Sequence, residues 1–357
     1  MSDAPSPQPS PARGEGAHSA DRSSFSPLPL TRRLDRRPLV LLGALVLLGA
    51  TMVAGIALGS VRVPLADVWA ALLGEHEGAR RFIVWNLRLP RVLLAALVGM
   101  NLAVAGTVLQ AVTRNPLADP HLLGLSAGGA LLAVLALHLD PATAVGNLPP
   151  LAFLGSLLGA ALVYLLAWRG GVSPTRLLLA GVAVAALFGA FTTGLLLVST
   201  LTIQAIMSWL AGGLYARSWP YVRILAPYWG VGMLAALLLA RRLDVLALGD
   251  EPASVLGVRV QRLRAVLTGL AALLTGSAVA VAGLIGFVGL VVPHVARMLV
   301  GSGHRYALPV AALLGGALLV LSDLIARTVA SPRELPVGIV TAAIGAPFFI
   351  YLLRRRT

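Results

Sequence analysis

Ten apolar runs, each close to the length that crosses a bilayer, occupy almost all of the chain after residue 37: about 39–59, 92–112, 122–138, 148–168, 177–199, 222–240, 265–283, 286–300, 306–326 and 337–353. A helix needs roughly 20 apolar residues to span the hydrocarbon core, so ten such runs with short connections leave no room for a sizeable extramembrane domain. Because lipid offers no partner for backbone N–H and C=O groups, runs of this length close their hydrogen bonds as helices. An all-α polytopic membrane protein follows. The composition agrees, since 58% hydrophobic residues, 12% charged residues and a mean hydropathy of +0.87 exceed what a soluble chain of 357 residues can bury.

Residues 1–37 are rich in Pro, Ser and Arg without apolar periodicity and read as a disordered tail, leaving 38–357 as the membrane domain. The first apolar run, 39–59, exceeds the 7–15 residues of a signal-peptide core and reads instead as a first span. An even number of spans puts both termini on one side. All 28 basic residues are arginine, and this topology assigns 19 of them to the side of the termini and 9 to the other. The positive-inside rule makes that richer side the cytoplasm of a plasma (inner) membrane. The net charge of +14 therefore reports topology and not nucleic-acid binding. With no lysine the chain has no GxxxxGK[ST] phosphate-binding loop, and with no cysteine it has no thiol chemistry.

Gly99, Ala103-Val104-Ala105-Gly106, Pro116 and Gly124 recur at one constant offset of 177 residues as Gly276, Ala280-Val281-Ala282-Gly283, Pro293 and Gly301. An offset of five spans predicts two five-helix halves inverted in the membrane. Transporters with a central path are built this way. Asn115-Pro116 and Pro293-His294 are expected to form equivalent cytoplasmic turns with a hinge role. Gly155xxxGly159, Gly99xxxAla103 and Gly276xxxAla280 also suit close helix contacts.

The segments RLPR (88–91), AGTVLQAVTRNPLADPHLLGLSAGG (105–129), IGFVGLVVPHVARMLVGSGHR (285–305) and ELPVGIVTAAIGAPFFI (334–350) resemble the FecCD-type permeases. These are the membrane subunits of ABC importers for ferric siderophores, haem and cobalamin. The resemblance implies ten helices per subunit, a second permease subunit as homo- or heterodimer partner, a separate ABC ATPase subunit and an external substrate-binding protein. It implies transport by alternating access with no catalytic residue and no cofactor in this chain. A ferric siderophore is the expected cargo, with cobalamin or haem as the alternatives.

Four groups of residues are candidates for work. The loop 244–264 predicts two short helices separated near Gly257, with Asp250 and Glu251 at a helix start and Pro252 in its first turn. The resemblance places ATPase coupling there, on Glu251, Ala253, Leu256 and Gly257. Arg88 and Arg91 flank Pro90 on the outer side against the positive-inside trend; the resemblance implies that with Arg327 and Arg333 they dock carboxylates of the binding protein, and snorkelling to lipid phosphates is the alternative. Asp323 lies inside a predicted span four residues before Arg327, which suits a structural ion pair. His121, His294 and His304 lack metal-ligand spacing. Asn101, Gln110, Thr192, Thr193 and Gln204 supply sparse polarity, for helix-to-helix hydrogen bonds or a path wall. A stand-alone carrier would need buried ionisable pairs, of which only Asp323 with Arg327 is visible. An intramembrane enzyme would need a nucleophile–base or His/carboxylate cluster, which is lacking.

Overall fold

The structure is a computed structural model that describes residues 36–59, 63–74, 78–198, 207 and 209–355. The expected tail lies outside these residues except for its last two, and Arg37 begins the first helix. In chain order the helices are α1 (Arg37–Ala57), α2 (Leu65–Leu73), α3 (Ala79–Phe82), α4 (Leu89–Thr113), α5 (Leu125–Leu139), α6 (Pro141–Ala167), α7 (Pro174–Val198), α8 (Trp219–Ala247), α9 (Asp250–Val255), α10 (Val260–Ala282), α11 (Val288–Val300), α12 (His304–Thr328) and α13 (Val337–Arg355). Seven are long and apolar enough to cross a membrane, and α5, α11 and the Val337–Tyr351 part of α13 are shorter apolar helices. Together they account for the ten expected spans.

The first, second and ninth spans show the alternation of direction. Arg37 lies over the ring of Tyr306 at the start of α12, while Gly55 at the other end of α1 lies beside Arg327 at the end of α12. Helix α4 runs the opposite way, so that Gly99 meets Gly315 and Arg91 meets Asp323. The bundle thus has a termini end, marked by Arg37, and a far end, marked by Arg91 and Arg327.

Small residues decide which helices are central. In α4, 89% of the apolar window is buried, in α10 78% and in α12 61%, against 22% for each of α1, α7 and α8. A side chain added at Gly99 would overlap the carbonyl of Gly315, and one at Gly106 would overlap the backbone of Gly289. In lipid, backbones this close replace the hydrophobic effect as the source of helix cohesion, through dispersion and weak polar contacts. Central α4 packs on α12 and α10, and central α10 packs on α6 and α4. Counted in spans, these pairs are second with ninth and seventh with fourth, as two five-span halves of opposite direction require.

The halves differ in where their helices break. The chain leaves helix at Gly283 (φ 72°) and returns after Phe287 (φ 68°), so Pro293 lies inside α11, whereas Pro116 lies in the turn after α4. The two prolines therefore do not occupy the equivalent turns that their spacing predicts, and Pro293-His294 is helical. The irregular segment after Ala282 is packed in protein, and Gly213 N–H donates to the Ala282 carbonyl at 2.8 Å. Exposed backbone of this kind survives at membrane depth only when so covered.

Residues 63–74 and 78–91 hold more helix than the apolar runs imply. Besides α2, the chain from Ala79 is helical all the way to Thr113, through a wider turn over Ile83–Arg88 that passes Leu89 N–H to Val84 C=O. Pro90 is the cause, since it cannot donate to the Asn86 carbonyl and its ring crowds that position. Trp85 and Trp219 meet on this side with ring centroids 5.6 Å apart and planes tilted by 44°, a place where amphipathic rings favour the water–lipid boundary.

Candidate functional site

The loop at the termini end is short and braced. Gly249 (φ 123°) turns the chain after α8, α9 covers one and a half turns, and Gly257 (φ 78°) turns it again into α10. Both glycines are required, because side chains rarely adopt such φ values. The expected second short helix is instead the first turn of α10, which begins at Val260. Asp250, at the start of α9, accepts from Arg264 Nη2 at 2.7 Å and pairs with Arg114 Nη2 at 3.5 Å. Arg264 is wholly buried and also donates to the Val172 carbonyl, so one guanidinium fastens α9, α10 and the α6–α7 turn. Arg114 is the left-handed residue that ends α4. Glu251, Leu256 and Gly257 face outward, but Ala253 is fully buried beneath them and has no surface to offer. Leu248, Val255 and Leu256 are 65%, 82% and 62% exposed, an apolar knob held on a fixed mount.

Above this mount the two longest motifs meet. Pro293 has no N–H to give to the Gly289 carbonyl, and Gln110 Nε2 of α4 donates to that carbonyl at 3.1 Å. Gln110 Oε1 accepts from Arg297 Nη2, one turn further along α11. Gln110 thus spends its amide on joining the halves. Asp119, in the turn before α5, is buried and accepts from the His121 N–H at 2.8 Å. Burial pushes its carboxyl above the usual range, against that hydrogen bond. Asn115 Oδ1 accepts from Leu117 N–H at 2.9 Å, which shapes the turn that contains Pro116. His304 Nδ1 lies 2.6 Å from Asp244 Oδ1, and its N–H donates to the same oxygen. Among the described residues no three His, Cys, Asp or Glu side chains gather as a metal site would need.

The far-end arginines are placed differently from the expected docking surface. Arg88 is buried and donates to the carbonyls of Ile56 and Ala57 at 2.7 and 3.0 Å, and Arg327, also buried, donates to that of Gly55. These are carbonyls that the end of α1 leaves without helical partners, and two cations satisfy them. Arg91 grips Asp323 through Nε and Nη2 and reaches Glu334 at 2.9 Å. Asp323 pairs with Arg327 as predicted, at 3.7 Å, but Arg91 is its closer partner at 2.8 Å. Of the four arginines assigned to docking, three are turned inward to hold α1, α4 and α12 together, and only Arg333 is exposed. Helix periodicity gave no sign of this, because the partners come from α1 and α12.

A cavity of about 480 Å³ opens between α5, α7, Met207 and Leu210. Its wall includes His121, Ala130, Gly189, Thr192 and Thr193. Both threonine hydroxyls donate to carbonyls one turn back, Phe188 and Gly189, so the wall displays little polarity. Asn101 donates to Ser277 at 3.1 Å between the two halves, the helix-to-helix role expected of it. Gln204 lies outside the described residues.

Comparison with known proteins accords with this geometry. Residues 45–355 match the FecCD transport family. The cobalamin import system permease protein BtuC of Halobacterium salinarum is 43% identical over 346 residues, covering 94% of this chain and 92% of that protein. The achromobactin transport system permease protein CbrC of Dickeya dadantii is 44% identical over 312 residues, 87% of this chain and 89% of its own. The Fe(3+) dicitrate transport system permease protein FecD of Escherichia coli is 42% identical, with 87% and 98% covered. A chain of a metal-chelate type ABC transporter in an inward-facing conformation superimposes with a TM-score of 0.80 at 33% identity, over 89% of this chain and 99% of its own. The bundle of apolar helices, relatives more than 40% identical over most of their length and a family match over residues 45–355 make the chain a member of the FecCD transport family, a multi-pass permease subunit of an ABC importer.

Proposed function

We propose that this permease moves a ferric siderophore inward by alternating access, driven by a separate ATPase that engages the loop around Glu251. The observation that carries the coupling reading is the braced knob. Leu248, Val255 and Leu256 offer an apolar handle, and Asp250 ties it to α4 and α10, the two most buried helices. A push on α9 is thereby delivered to the centre of the bundle instead of being absorbed in a loose loop. On this reading the termini end faces the cytoplasm and the far end meets the binding protein, with Arg333 as the remaining exposed arginine of the docking group. Asn115 and Pro116 serve as the hinge of the α4–α5 turn. Pro293 acts within α11, through the carbonyl it frees.

The cavity wall supports a chelated cargo. Mostly apolar residues and satisfied hydroxyls offer a weakly polar surface, so iron would travel wrapped in its chelator while a second permease subunit supplies the opposite wall. Relatives with assigned cargo carry iron chelates, haemin or cobalamin by name.

Uptake of radiolabelled ferric siderophores, haem and cobalamin by cells with the intact protein or Glu251→Arg tests both parts, with membrane insertion verified for each. The expected result is uptake of a ferric siderophore that is lost in the inserted variant. Uptake of cobalamin or haem alone would replace the cargo assignment. Undiminished uptake by Glu251→Arg would sink the coupling assignment, and uptake that also survives loss of the ATPase would indicate a secondary carrier.

A further inference from the structure

Beside the braced loop, a groove of about 350 Å³ runs between the end of α8 and the start of α10. Arg242, Arg259 and Arg262 line its cationic part, and Leu239, Leu263 and Val266 its apolar part. Seven residues separate Arg259 from Val266, so the groove passes from cationic to apolar over about 10 Å along α10. All three arginines are exposed, and among the described residues no carboxylate pairs with them. Nearby Arg114 and Arg264 both find Asp250. The groove therefore holds three uncompensated cations above an apolar slot at the edge of the bundle.

We infer that this groove is a binding site for one anionic phospholipid, with the phosphate among Arg242, Arg259 and Arg262 and an acyl chain along Leu239 and Val266. Charge at one end and hydrocarbon at the other match a lipid at headgroup level. A free anion would leave the apolar part unfilled, and an acidic protein surface would not enter it. Arginine suits the task because its fork of N–H groups meets phosphate oxygens in pairs. Gly257 borders both the groove and the coupling loop, so an occupied site would stiffen the turn into α10. The site rests on membrane placement and not on the identity of the cargo.

Native mass spectrometry of the purified full-length permease, delipidated and then supplied with dioleoyl phosphatidylglycerol or dioleoyl phosphatidylcholine, tests the proposal. Phosphatidylglycerol should bind with one preferred site. Arg242→Gln with Arg262→Gln should weaken it by about fivefold per arginine, with unchanged thermal unfolding in detergent. Arg241→Gln, a neighbour outside the groove, should leave it unaltered. Equal retention of phosphatidylcholine, or an equal loss in Arg241→Gln, would overturn the site. Displacement of the lipid by millimolar inorganic phosphate would reduce it to a simple anion site. Lipid retention unchanged in the double variant, with loss of a co-purifying ATPase, would make the patch a protein-docking surface instead.

Discussion

Gly99 and Gly189 are both helical glycines in apolar spans, yet they have opposite prospects. A Cβ at Gly99 would overlap the Gly315 backbone, while one at Gly189 meets open space. Gly99→Ala should lose about 1–3 kcal/mol from overpacking, whereas Gly189→Ala should be neutral or gain up to about 1 kcal/mol from helix propensity. Unfolding of the two variants in mixed detergent micelles would show this difference in sign. The buried carboxylate of Asp323 gives a second contrast. Asp323→Asn leaves the buried Arg327 without its carboxylate and Arg91 with only the partly exposed Glu334, and should cost about 3–5 kcal/mol. Glu334→Gln, at a partly exposed partner of the same Arg91, should cost about 1 kcal/mol or less in the same assay. Asp323 was legible as an ion-pair member from its spacing to Arg327. Its stronger bond to Arg91 was not, because 232 residues separate the two in sequence.

At the scale of elements, the most informative is α9. Its start and stop were legible in Gly249, Asp250, Pro252 and Gly257, since each has a conformational or electrostatic reason to stand there. Its mount was not, because Arg264 and Arg114 lie on other helices. Asp250→Asn should leave α9 folded while loosening its tie to α4 and α10. Transport per ATP hydrolysed, measured in proteoliposomes with the ATPase and binding protein, is expected to fall severalfold while hydrolysis continues. Equal loss of hydrolysis and transport would mean that Asp250 serves assembly and not transmission. The breaks in the two halves teach a related lesson. Matching Pro116 with Pro293 by spacing was sound as a sign of duplication, yet Gly283 and Phe287 ended the preceding helix early and left Pro293 within α11. Once there, its missing N–H freed the Gly289 carbonyl that now holds Gln110.

For the whole molecule, the absence of native cysteine makes topology directly measurable. Single cysteines at Ser254 and Arg333, both exposed and at opposite ends of the bundle, should react differently with a membrane-impermeant maleimide applied to intact cells. Arg333→Cys is expected to label from outside, and Ser254→Cys only after the membrane is opened. The reverse pattern would invert the assigned orientation. Span number, alternation and the all-helical class were determined by sequence alone, because a bilayer accepts little but apolar helices and the length of each run sets one crossing. The order of the helices from centre to rim was decided only by tertiary structure. Outer and inner faces are both apolar in lipid, so hydropathy cannot rank α1 against α4. The small residues that let α4, α10 and α12 approach can be read as a pattern, but their partners cannot. The same holds for the far-end arginines. Their charge is written in the sequence, while their direction depends on the carbonyls of α1 and the carboxylate of Asp323, which folding alone brings within 3.1 Å.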